Sequence, residues 1–116
     1  MNKVLLLDSQ NRILETADLA EGTVNEAYIS PREVIENAIK HNAASLIFVH
    51  NHPSGNPQPS AADKELTRQL VFAAGVMKLR VLDHIIIGDS VYFSFNGEGL
   101  IQKYETDFNT RINDLR

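Results

Sequence analysis

The sequence has 116 residues, of which 43% are hydrophobic and 22% charged, as expected for one soluble globular domain. It contains no cysteine, which excludes disulfides, thiol nucleophiles and thiolate metal sites, so that any bound metal must be held by His, Asp or Glu. The net charge is −4 and the basic residues are scattered, so nucleic-acid binding by this segment alone is not expected.

The hydrophobic pattern also argues against a membrane protein. No apolar run approaches the roughly 20 residues that a membrane span needs. The first residues, MNKVLLLDSQ, are too short for a signal peptide. We therefore expect a cytoplasmic protein that has no membrane partner.

The first elements in chain order are two predicted strands. Residues 4–8, VLLLD, form a short apolar run that is typical of a buried strand. Residues 9–12, SQNR, predict a turn, and a second strand is predicted from about 13 to 20.

A helix is then predicted from its start signals. Ser30 suits the N-cap, Pro31 suits the first helical position, and Glu33 would complete a capping box with Ser30. The apolar positions that follow have helical spacing and predict one buried face: Val34, Ile35, Ala38 and Ile39. His41 follows the helix and is interpreted as an end residue compatible with the helix dipole.

A second strand–helix unit comes next. Residues 44–50, ASLIFVH, are almost entirely apolar, as expected for a strand within a mixed or parallel sheet. Prolines and a glycine in residues 53–59 predict a loop. Ser60 is predicted to cap a helix whose end is marked by Gly75. Its buried face is predicted to contain Leu66, Leu70, Val71 and Ala74.

The last predicted strands are residues 78–88 and 91–95, joined by a turn at 88–90. The remainder, 96–116, is less periodic and predicts a short helix or a loose tail. The element order β-β-α-β-α-β-β predicts an α/β sandwich with a mixed sheet. The aromatic side chains of this chain are interpreted as core or edge packing: Tyr28, Tyr92, Phe93 and Phe95.

The stretch VHNHPSGNPQPSAAD, residues 49–63, concentrates the polar chemistry. His50 and His52 are two residues apart at a strand end, so their side chains leave the sheet on the same face. If the loop folds the next helix back over the strand end, Asp63 joins them. Two histidines and one carboxylate with an open fourth position are typical of a catalytic zinc. The pattern Ser60-x-x-Asp63 is equally that of a plain helix cap.

These residues resemble a known family. The spacing His50-x-His52-Pro53, then Ser60 and Asp63, is similar to the H-x-H-x7-S-x2-D core of the JAMM/MPN metalloproteases. The bacterial RadC-like branch is resembled more narrowly, through HNHPSGNPQPS, GT at 22–23, PREV at 31–34 and RVLDHIIIG at 80–88.

The resemblance implies a three-layer α-β-α sandwich, similar to cytidine deaminases, across one domain of residues 1–116. It implies a zinc-dependent hydrolase that cleaves peptide or isopeptide bonds with a metal-activated water. His50, His52 and Asp63 would be the zinc ligands, and the Ser60 hydroxyl would stabilise the oxyanion. The partner would be an unidentified peptide or protein substrate.

The sequence departs from the family pattern at one point. JAMM enzymes use a glutamate on an early strand as general base, and no acidic residue precedes Asp8. The nearest glutamate, Glu15, falls on the next strand and does not match the motif. We expect the chain to be a C-terminal fragment of a longer protein and to be catalytically impaired as written.

Asp83 and His84 have two interpretations. They could supply a fourth ligand or a contact to the ligands, or His84 could be a strand histidine that is hydrogen-bonded inside the fold.

Four other functions compete with the hydrolase. The adjacent His50-Asn51-His52 does not match an HNH nuclease, whose motif letters are spread over tens of residues. A zinc nucleoside deaminase needs cysteines that this chain lacks. A non-catalytic MPN-type interaction module remains the main alternative. A role in DNA repair is suggested only by the name of the RadC-like branch.

Overall fold

The structure is a computed structural model that describes residues 1–19 and 29–115. Its elements are β1 (Asn2–Leu7), β2 (Ile13–Asp18), α1 (Pro31–Lys40), β3 (Ser45–Asn51), α2 (Ala61–Val76), β4 (Arg80–Ile87), β5 (Tyr92–Ser94) and α3 (Leu100–Asp114). The predicted strands and the first two helices are confirmed. Three sequence features lie outside the described residues: Ala20 at the end of the predicted second strand, the pair at 22–23, and Tyr28.

The strands form one mixed sheet, as predicted. Their order is β2-β1-β3-β4-β5, and only β3 and β4 are parallel among these pairs. Helix α2 makes the crossover between these two parallel strands. The carboxyl ends of β3 and β4 therefore lie side by side, with His50 opposite Ile86.

The apolar core lies between one face of the sheet and the helices. Leu46 and Phe48 of β3 are fully buried on this face. All three helices contribute to the same cluster, through Val34, Ile35, Ala38, Leu70, Val71, Ala74, Ile101 and Tyr104. Helix α2 contacts both α1 and α3.

The opposite face of the sheet is covered less completely. Ile47, Val49 and Ile85 alternate with the buried residues of β3 and β4 and remain half-buried. The α/β class is confirmed, and the described helices form one layer. The second helical layer of the expected three-layer sandwich is not found within residues 1–19 and 29–115. In that part of the chain, no helix combines the length and apolar character that a membrane crossing requires.

The start of α1 differs from its prediction in one detail. Ser30 is the N-cap and Pro31 follows it, as predicted, but the Ser30 side chain makes no capping hydrogen bond, so the predicted capping box with Glu33 is wrong. Because Pro31 has no N–H, the start of α1 has one amide donor fewer that needs an acceptor.

The C-terminal part was underpredicted. Instead of a loose tail or short helix, α3 has 15 residues and buries Ile101 and Tyr104.

Gly75 does not end α2, which continues to Val76. A Cβ atom at Gly75 would lie 2.7 Å from the Phe108 ring of α3. Gly75 is therefore a packing residue that lets α2 and α3 approach closely.

We expect Gly75→Ala to lower the free energy of unfolding by about 1–3 kcal/mol, because the methyl group overpacks the contact with Phe108. This loss would appear although Ala is favoured over Gly in helices by about 1 kcal/mol. In a Phe108→Ala background the same change should stabilise the protein. Urea unfolding of the four proteins measures both effects, and stabilisation in both backgrounds would contradict the packing role.

Candidate metal centre

The loop after β3 and the loop after β4 hold the end of β3 in place. His50 lies in β3, and the His52 N–H donates to the Ile87 carbonyl of β4 over 3.0 Å. The Gly55 N–H donates to the His52 carbonyl over 2.9 Å, and Gly55 has a φ of +85°, which favours glycine. A Cβ atom at Gly88 would collide with the Gly55 carbonyl. The chain therefore turns back at once toward the start of α2.

This turn brings the predicted ligands together. The His52 Nε2 atom is 3.1 Å from Asp63 Oδ2, and the His50 Nε2 atom is 3.4 Å from Asp63 Oδ1. One candidate ligand atom from each of these residues lies within 4.8 Å of the other two. They form one wall of a pocket of about 310 Å³ whose apolar side includes Phe48 and Leu66. The arrangement expected from the sequence motif is present.

Asp63 also caps α2. Its Oδ2 accepts a hydrogen bond from the Ser60 N–H over 2.8 Å, and the Ser60 Oγ accepts from the Asp63 N–H over 3.0 Å. The predicted capping box is therefore real. The helix cap and the metal ligand were alternative interpretations of Asp63 in the sequence, but in the structure one carboxylate belongs both to the cap and to the group that could hold a metal ion.

The carboxylate of Asp63 is held in its charged form. Burial by itself raises the pKa of Asp63, but the adjacent His50 imidazole and the Ser60 N–H lower it by more. The net result is a pKa far below the usual range for a carboxyl group. Asp63 thus offers a full negative charge to the pocket.

The orientation of His52 tests whether this set fits a cation. Its Nδ1 lies 2.9 Å from the Asn56 carbonyl oxygen, which can only accept, so Nδ1 carries the ring hydrogen. In the neutral ring, Nε2 then directs a lone pair at Asp63 Oδ2. Two acceptors 3.1 Å apart repel each other unless a cation or a proton lies between them. Neutral imidazoles and a carboxylate are usual zinc ligands, so this donor set fits a divalent metal.

His84 is not part of the ligand group found among the described residues. It is fully buried, with Nε2 2.9 Å from His50 Nδ1 and Nδ1 in hydrogen-bond contact with Thr67 Oγ1. Its ring stacks on Phe95 at a centroid distance of 4.4 Å. Burial, followed by the neighbouring His50, lowers the pKa of His84 well below its ordinary value. His84 is hydrogen-bonded inside the fold, and its partner is a candidate ligand.

Asp83 faces away from this group and has a local role. Its carboxylate accepts from the His84 N–H over 2.7 Å, the Ser94 hydroxyl over 2.6 Å and the Asn96 N–H over 2.8 Å. These bonds organise the turn from β5 into α3. The sequence interpretation of Asp83 as a fourth ligand has no support in this geometry.

Two residues complete the description. Thr67, one helical turn after Asp63, is fully buried and was missed by the sequence analysis. The sequence feature that could have indicated Thr67 is a hydroxyl residue on the otherwise apolar face of α2. Ser60 lines the pocket, and its hydroxyl accepts one bond, so its hydrogen remains available to a substrate oxygen. Its role at an oxyanion stays a prediction. No glutamate belongs to the described residues that line the pocket.

A family model described as the RadC-like JAB domain matches residues 2–100. A UPF0758 protein of Trichlorobacter lovleyi is 50% identical over 97 residues, which are 84% of this chain and 42% of that protein. A UPF0758 protein of Actinobacillus succinogenes is 51% identical over 92 residues, covering 79% of this chain and 42% of its own length.

The chain belongs to the RadC-like JAB domain family, because the family model covers most of its length. The resemblance in the sequence is thus confirmed. The chain spans about 42% of the length of these two curated relatives.

The N-cap of α2 gives a testable stability difference. Ser60→Ala should lower the free energy of unfolding by about 1 kcal/mol, because it removes the acceptor for the Asp63 N–H. Ser30→Ala is the matched control, since Ser30 is also an N-cap but its side chain makes no capping bond. Chemical denaturation of both variants measures the difference. Equal losses would show that the Ser60 hydrogen bond contributes nothing beyond N-cap preference.

Proposed function

We propose that this chain binds one zinc ion through His50, His52 and Asp63 and hydrolyses peptide or isopeptide bonds. The observation that carries the proposal is the convergence of two imidazole nitrogens and a charged carboxylate within 4.8 Å in one pocket. Membership of the JAB domain family, which includes metalloproteases, supports it. The cytoplasmic location predicted from the sequence belongs to this proposal and stays a prediction.

The three ligands would have different contributions. Zinc bound to them would lower the pKa of a water molecule toward about 7 and polarise a carbonyl oxygen. Asp63 supplies negative charge and is fixed by the Ser60 N–H. The Asn56 carbonyl orients the His52 ring through Nδ1. Ser60 sits at the pocket with a hydroxyl hydrogen to donate to a developing oxyanion.

A non-catalytic metal-binding interaction module is the second candidate. One specific observation favours it: Asp63 is the only carboxylate among the described residues that line the pocket, and the proposed site would use it as a metal ligand. General acid–base catalysis would need a further proton-accepting group within hydrogen-bond reach of the substrate. The two candidates predict the same metal and different turnover.

Hydrolysis can be tested with a mixed library of linear peptides and lysine-branched isopeptides in ¹⁸O-labelled water. Each cleaved bond places the label in a new carboxyl group, which mass spectrometry detects. We expect slow cleavage that requires zinc, disappears in His52→Ala and is accelerated by formate acting as a diffusible base. Zinc-loaded protein that releases no labelled product, with or without formate, would rule out the hydrolase and favour the interaction module.

Ser60→Ala separates binding from catalysis within this assay. The variant keeps the backbone N–H that fixes Asp63, so it should retain zinc. We expect its turnover to fall by about 10²–10³-fold, the usual effect of removing one oxyanion donor. Unchanged turnover in a zinc-loaded Ser60→Ala protein would remove Ser60 from the catalytic machinery.

A further inference from the structure

A chain of hydrogen bonds runs through the core behind His50. The Thr67 hydroxyl lies 2.8 Å from the backbone carbonyl of Asp63 and also contacts His84 Nδ1. His84 Nε2 lies 2.9 Å from His50 Nδ1. Thr67 and His84 are both fully buried, and His50 is 9% exposed. This chain of hydrogen bonds therefore links the first turn of α2 to the candidate ligand His50 on β3 without passing through the pocket.

The position of each hydrogen follows from the partners. A carbonyl oxygen can only accept, so the single Thr67 hydroxyl hydrogen lies toward Asp63. The Thr67 oxygen must then accept from His84, which places the His84 ring hydrogen on Nδ1. A neutral, buried imidazole carries one such hydrogen, so His84 Nε2 is an acceptor. The hydrogen in the 2.9 Å contact between His84 Nε2 and His50 Nδ1 then lies on His50 Nδ1, which donates to His84.

We propose that Thr67 and His84 are positioning residues that fix His50 in the Nδ1–H form, so that its Nε2 lone pair faces the pocket. The inference rests on the proposed zinc site, where a ligand histidine must offer an unprotonated nitrogen. It extends the proposed function to two residues that contact neither the pocket nor the substrate. Hydrogen bonds of this kind fix the ring form of metal-binding histidines in general.

Asp63 competes for the same ring. Its Oδ1 is 3.4 Å from His50 Nε2, and it would favour a hydrogen on that nitrogen. The shorter 2.9 Å contact with His84 on the other side of the ring opposes this form. Without His84 as acceptor, His50 would carry its ring hydrogen on Nε2, facing Asp63. Nε2 would then have to lose this hydrogen before it could bind a metal.

The ring hydrogens can be observed directly in the metal-free wild-type protein. Long-range ¹H–¹⁵N spectra near pH 8, above the usual imidazole pKa of about 6.5, distinguish protonated from bare ring nitrogens. We expect His50 and His84 both to carry their hydrogen on Nδ1. A hydrogen on Nε2 of either ring in the wild type would overturn the proposal.

Three substitutions test the positioning effect. Thr67→Val removes the acceptor for His84, and we expect the Nε2–H form of His50 to appear with about 10- to 100-fold weaker zinc binding. Thr67→Ser keeps the hydroxyl and should restore the wild-type ring pattern and most of the affinity. Thr110→Val is the matched control, because Thr110 makes the same hydroxyl bond to the carbonyl four residues earlier but is exposed on α3.

Zinc affinity is measured by competition with a chelator. Thr67→Val with wild-type affinity and the wild-type ring pattern would overturn the proposal, as would a Thr67→Ser protein that behaves like Thr67→Val. Failure of the proposed function gives a different result: wild-type protein that binds no zinc while His50 and His84 still carry their hydrogens on Nδ1. The metal-free spectra therefore judge the positioning role independently of the zinc site.

Discussion

The site depends on the placement of one carboxylate. Asp63 has to reach His50 and His52 from a different element, and it does so because its Oδ2 accepts from the Ser60 N–H at the start of α2. The same contact ends the loop that leaves β3. The Asp63 carboxylate thus serves both the start of α2 and the contact with the two histidines. A change that displaces the first turn of α2 would also displace this candidate ligand. We therefore expect helix stability and the affinity of the proposed metal site to be coupled.

A second constraint acts on the imidazole rings. A neutral histidine presents a lone pair on one ring nitrogen when its hydrogen is on the other, and an acceptor beside that other nitrogen fixes this form. For His52 this acceptor is the Asn56 carbonyl in the loop, and for His50 it is the buried His84. The two orienting groups differ in exposure, since one lies in a surface loop and the other in the core. The candidate ligand His50 is therefore held by the apolar core, whereas the candidate ligand His52 is held by the loop.

Local chemistry made much of this predictable from the sequence. The strands, the Pro31 and Ser60 helix starts and the spacing of the candidate ligands follow from short-range signals, and the family resemblance indicated the candidate site. The missed features depend on contacts between distant residues. Gly75 resembled a helix end until the Phe108 ring was placed against it. The sequence left two interpretations of His84 open, because its hydrogen-bond partners Thr67 and His50 are 17 and 34 residues away from it.

The metal stoichiometry of the purified protein tests directly whether His50, His52 and Asp63 hold a zinc ion. Native mass spectrometry would be run on tag-free protein after reconstitution with zinc, beside His52→Ala and, as a control, His41→Ala at the C-cap of α1. We expect one zinc per chain in the wild type and in His41→Ala, and none in His52→Ala. A wild-type protein without zinc, or a His52→Ala protein with the same zinc content, would contradict it.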